Sequence, residues 1–148
     1  MPLVASMFFV AILAFLVATH EPRETAWAIH AKADVTATSV LAYRESVIDY
    51  LNSNSAFTGT VPDASLTYPW GHQRNLAWTN LVSSGTLYIY EVTPGAGQTV
   101  QDTIYTKTQR SFMVGRNVSG LLVSAKGVET GITVPAAIPE GSILIVGK

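Results

Sequence analysis

The first constraint is an uncharged run, Leu3 to Ala18, in "MPLVASMFFVAILAFLVATHEPRETAWAIHAKA". Ser6 is its one clearly polar side chain, and Thr19 closes it. As a helix it reaches roughly 25 Å, the short end of a bilayer core. A cleaved signal needs a positive start and a small-x-small site just past the apolar core. Here no Lys or Arg precedes the run, and Ala26-Trp27-Ala28 and Ala31-Lys32-Ala33 lie well beyond it, after Pro22. A buried helix is the third alternative, but all its faces are apolar and would need a large protein around them. A retained single-span anchor over residues 1–20 fits best. Trp27 supports it, because tryptophan favours the membrane boundary. By the positive-inside rule, Arg23 and Lys32 after the run lean towards a cytoplasmic body.

The pattern over residues 21–55 is that of an amphipathic helix. Ile29, Ala33, Thr36, Val40, Tyr43, Val47 and Tyr50 recur at alternating spacings of four and three, and most charges fall off this stripe. Small residues lead and bulky ones follow. The stripe serves either as core packing against a globular body or as a helix-assembly face for a second copy. "NSNS", Gly59 and Pro62 then stop the helix.

Residues 56–148 read as β-rich. "NLAWTNLV" and "TLYIYEV" around "SSG" predict a hairpin, Leu76–Val82 against Thr86–Val92. "TVQDTIYTK" is a β-rich, polar-alternating stretch that suits an edge or a mobile strand, and "GLLVSAKG" and "SILIVGK" are two further strands. "VPAAIPEG" joins these last two as a Pro-braced connection. "RSFMVGRNVSG" suits either a bulged strand or a short helix. The expected fold class is α+β. An N-terminal transmembrane and long amphipathic helix precedes a small, mostly antiparallel sheet of four to five strands, pilin- or pseudopilin-like in outline.

No catalytic constellation converges in the sequence. His20 and His30 are ten positions apart, too far for a metal pair on one helix. Asp63, Glu91, Asp102 and Glu129 stand alone, and no nucleophile-elbow, zinc-protease or phosphate-loop pattern occurs. The reading is therefore a non-enzyme with no cofactor and no metal. Net charge is −1 with scattered Lys and Arg, which argues against nucleic acid as a partner. With no cysteine, disulfide and thiolate chemistry are absent. The informative cluster is "SLTYPWGHQRNLAW". Tyr68, Trp70, His72 and Arg74 there suit a partner-binding surface for peptide or carbohydrate. The alternative is that Trp78 is core and Tyr68 and Trp70 cover the end of the sheet.

The whole chain resembles the PilM family of type IVB (thin) pilus biogenesis proteins from conjugative plasmids. The resemblance rests on the apolar start, "LAYRESVIDYLNSNSAFTGTVPDASL", the Trp-containing strand region and the closing "VPAAIPEGSILIVGK". It implies a single-pass bacterial inner-membrane protein with a periplasmic C-terminal domain, against the lean of the charge rule. It also implies other pilus assembly proteins as partners and a place in the assembly apparatus or basal body. Homo-oligomers through the stripe are a further expectation. A pilin-like minor subunit is the alternative, but Leu3–Thr19 lacks the Gly and Glu of a processed prepilin. A soluble periplasmic binding module follows if the leader is cleaved.

Overall fold

The computed structural model describes the backbone of residues 2–147 and the side chains of Ile12 and of residues 25–147. The chain divides into two compact units, Met1–Lys32 and Ala33–Lys148. This boundary differs from divisions after residues 20 and 55, because the helix from Ala33 onward supplies core to the sheet. Helix α1 (Pro2–Ser53) begins in the first unit and ends in the second. In the first unit, Ile12, Trp27 and Ile29 are exposed. The side chains of the expected anchor, residues 1–20, lie outside the described residues apart from Ile12. Among the described residues no helix is long and apolar enough to cross a membrane.

In the second unit, α1 buries Ala33, Ala37, Val40, Tyr43, Val47 and Leu51. Their three- and four-residue spacing puts them on one face, and each large one contributes about 1.5–3 kcal/mol by leaving water. Asn54 ends the helix: its Nδ2 donates to the Tyr50 carbonyl at 2.9 Å. A short 3-10 turn at Asp63–Ser65 follows.

Six strands then form one antiparallel sheet: β1 (Trp78–Ser83), β2 (Thr86–Glu91), β3 (Val114–Val118), β4 (Leu121–Ser124), β5 (Glu129–Thr133) and β6 (Ile143–Val146). Their order is β1-β2-β6-β3-β4-β5. The β1–β2 hairpin turns on Ser84 and Gly85, both at positive φ. That is the two-residue turn whose twist matches the strands. Ser119 and Gly120 do the same between β3 and β4. β6 lies between β2 and β3. Its Ile143 and Ile145 join the core under α1, while Leu144 and Val146 join a second cluster with Leu122, Val134 and Ile138. Both faces of β6 are thus covered, which is why it reads as an unbroken apolar run.

The segment expected as an edge strand, "TVQDTIYTK", is instead helix α2 (Gln98–Lys107). Its buried residues, Gln101, Ile104 and Tyr105, have helical spacing. The threonines that suggested a strand bond back into the helix. Thr103, Thr106 and Thr108 donate from Oγ1 to the carbonyls of Thr99, Asp102 and Ile104 at 2.7, 2.8 and 2.9 Å. β5 is the strand that the sequence did not announce. Its pairing with β4 contains an irregularity, and Gly131 within it has φ +74°.

Candidate functional site

Between the 3-10 turn Asp63–Ser65 and β1, the chain forms a long loop that is held from below at several points. Arg74 is its centre. Nε donates to Asp63 Oδ1 at 3.1 Å, Nη2 donates to the Trp78 carbonyl at 2.6 Å, and Nη1 donates to the Asn75 carbonyl. The guanidinium carbon lies 3.7 Å from the centre of the Tyr43 ring, a cation–π contact with a core residue of α1. With its side chain only 16% exposed, Arg74 is spent on the fold.

Aromatic stacking extends the brace. Tyr68 stacks on His72 at 4.9 Å and, more distantly, on Tyr43 at 6.5 Å. Tyr68 also donates its hydroxyl to Asp63 Oδ1 at 3.3 Å. Burial, and next the nearby Asp63 carboxylate, push the Tyr68 phenol up to about 12 against the opposing pull of Arg74. Burial also raises Tyr43, opposed chiefly by its bond from Asn80 Nδ2 at 2.6 Å. Ser39 Oγ of α1 donates to the Gln73 carbonyl at 3.2 Å and ties the far side of the loop.

On this platform, residues Pro69 to His72 make a tight turn. The His72 N–H donates to the Pro69 carbonyl at 3.0 Å, and Gly71 takes φ +76°. Those are the marks of a type II turn, whose third position needs a residue free of a Cβ. The turn presents Trp70, fully exposed at 102%. A groove of about 720 Å³ runs between Trp70 and α1, with Val35, Thr38 and Ser39 on the helix side.

The structure therefore brings Tyr68, His72 and Arg74 together as a support and leaves the Trp70 ring of this cluster free. Asp63, which looked isolated in the sequence, joins them. Eleven positions separate it from Arg74, and no spacing signal links the two. The expected assembly face resolves differently. Ala33, Val40, Tyr43 and Val47 are buried in the chain's own core and are not available to a second copy. Tyr50 is half-buried with its ring edge-on to Phe57 at 5.5 Å, and Ile29 is exposed in the first unit. Of the histidines, His20 lies outside the described side chains and His30 is exposed. No group of three His, Asp or Glu that could hold a metal occurs among the described residues.

Comparison with known proteins agrees with this outline. The fold is similar to that of a chain described as PilM from Escherichia coli B7A, at TM-score 0.61 and 21% identity, covering 79% of this chain and 92% of that one. A second solved chain, described as PilM from Pseudomonas aeruginosa 2192, is 30% identical over 78% of this chain and 95% of its own, at TM-score 0.48. No curated protein matches. The sequence profile of the PilM family matches residues 7–146, nearly the full length. The chain belongs to the PilM family.

Proposed function

We propose that this protein is a non-catalytic component of a pilus assembly apparatus, held at the bacterial inner membrane by residues 1–20. Its C-terminal domain faces the periplasm and works by contact with other pilus proteins. Family membership supports the pilus setting. The observation that carries the mode of action is Trp70: a large apolar ring wholly in solvent, on a turn fixed by Gly71 and a braced loop. An ordered exposed tryptophan contributes nothing to the fold. It suits a binding anchor, since little conformational freedom remains to be lost when a partner covers it. The uncharged run Leu3–Ala18 supports the anchor.

The test is Trp70→Ala in cells that depend on this chain for pili. The variant accumulates to the normal level in the membrane fraction at an intact mass near 15.8 kDa. Pilus number falls at least tenfold. Normal piliation with Trp70→Ala sinks the contact role. Recovery of the protein mainly in sheared pili favours a minor subunit. A mass shortened by loss of the leader removes the anchor.

A further inference from the structure

Residues 108–113 join α2 to β3 and show groups that the core does not take up. Phe112 and Met113 are exposed. Arg110 is exposed beside them and has no ion-pair partner among the described residues. The turn is nevertheless fixed. The N–H groups of Gln109 and Arg110 donate to the carbonyls of Thr106 and Tyr105 at 3.2 and 2.8 Å, and the Met113 carbonyl accepts from the Val146 N–H at 2.9 Å. Gln109 and Arg110 hold positive φ, 56° and 63°, just past a helix end where glycine is the usual residue. Their side chains are kept there at a steric cost, and such outliers collect where a loop must present something.

A second turn lies alongside. Ala125, just after β4, donates its N–H to the Val114 carbonyl at 3.0 Å. Lys126 follows. It is exposed, and its Nζ lies 5.1 Å from the centre of the Tyr105 ring, whose backbone carbonyl holds Arg110. Lys126 likewise has no ion-pair partner among the described residues. Two unpaired cations thus accompany an exposed phenylalanine and methionine. Glu129, three positions past Lys126, offsets part of that charge. The place of these turns in the chain is a further observation. Lys107, the last residue of α2, pairs with Asp34 at 2.9 Å. Asp34 is the second residue of the second unit, so residues 108–113 begin beside the point at which α1 enters it.

We propose that these two turns rest on the surface of an anionic lipid bilayer. Phe112 and Met113 enter the boundary between headgroups and acyl chains, while Arg110 and Lys126 donate to lipid phosphates. Apolar side chains accompanied by basic ones are what such a surface retains, by burial and by charge together. Two of each bind a free bilayer weakly. The proposal therefore rests on the retained anchor proposed above, residues 1–20, which leaves only residues 21–33 between the bilayer and Asp34. So short a tether holds the turns at a high effective concentration at the surface, and a weak contact then suffices.

The chain has no cysteine, so Phe112→Cys in the full chain takes a single nitrobenzoxadiazole label. The labelled protein is placed in nanodiscs of phosphatidylcholine alone or of phosphatidylcholine mixed with phosphatidylglycerol. Emission is at least twofold brighter, and blue-shifted, in the anionic discs. High salt removes the difference. Arg110→Gln with Lys126→Gln abolishes it, and Glu129→Gln makes it more resistant to salt. A label at Ser119→Cys, in the turn at the far end of β3, stays in water in both discs. A protein that co-elutes with the discs while its position-112 label stays in water overturns the docking and leaves the anchor standing. Equal brightening in both lipids, or equal brightening at position 119, also overturns it. If the position-112 label stays in water in both discs but is shielded in membranes from piliating cells, the turns belong to a protein partner instead. A protein that elutes apart from both kinds of disc overturns the anchor, and the docking with it.

Discussion

Asn80 shows how one buried polar side chain organises the ground beneath the candidate site. It is fully buried, accepts from the Val61 N–H at 2.8 Å, and donates to the Val61 carbonyl at 3.0 Å and to the Tyr43 hydroxyl. The loop after α1 is thereby fixed to β1, and Tyr43 is fixed under Arg74. Tyr68 then offers a measurable signature. Its folded value of about 12 exceeds the ordinary 10.0, so folding favours the protonated phenol. That contribution is complete below pH 10 and is lost as the pH rises through about 12. Phenolate absorbance should show an ionisation near pH 12 that Tyr68→Phe removes. If the ionisation that Tyr68→Phe removes lies near the ordinary 10.0 instead, the stack with His72 and the bond to Asp63 do not persist in solution.

Among the elements, the stripe on α1 decides whether the sheet has a cover. Val47 is fully buried in the core cluster with Val40, Tyr43 and Leu51. Val47→Asp puts a carboxylate there without a partner, and should cost at least about 3 kcal/mol. A chemical denaturation curve of the purified full chain checks this. An unchanged midpoint would mean that α1 does not pack on the sheet. The stripe was legible because helical periodicity and burial agree from Ala33 to Tyr50. The β1–β2 hairpin was legible too, since Ser84-Gly85 between alternating runs has few other uses. α2 was not, because Thr and Val are strand-like by propensity and only the back-bonded hydroxyls reconcile them with a helix. β5 was hidden by Gly131 and by its short, half-exposed pattern. At the site, "TYPWGHQR" was visible as a cluster, but which ring stays free depends on Asp63 and Tyr43, brought in from elsewhere in the chain.

At the scale of the whole molecule, both core clusters draw every residue from Ala37 onward. Among the described residues, the second unit therefore contains every member of both core clusters. A chain shortened to residues 30–148 should melt cooperatively within about 5 °C of the full chain. Calorimetry of the two side by side checks this, and loss of the transition would mean that earlier residues stabilise the sheet. The placement of β6 bears on how this unit comes into being. β1–β2 and β3–β4–β5 pair with near neighbours, yet only β6, which follows them all, joins the two groups. During synthesis they must therefore wait as separate ribbons, with β2 and β3 each offering an unsatisfied edge. The body closes when residues 143–146 have emerged, and until then it is a chain that needs shielding from its neighbours.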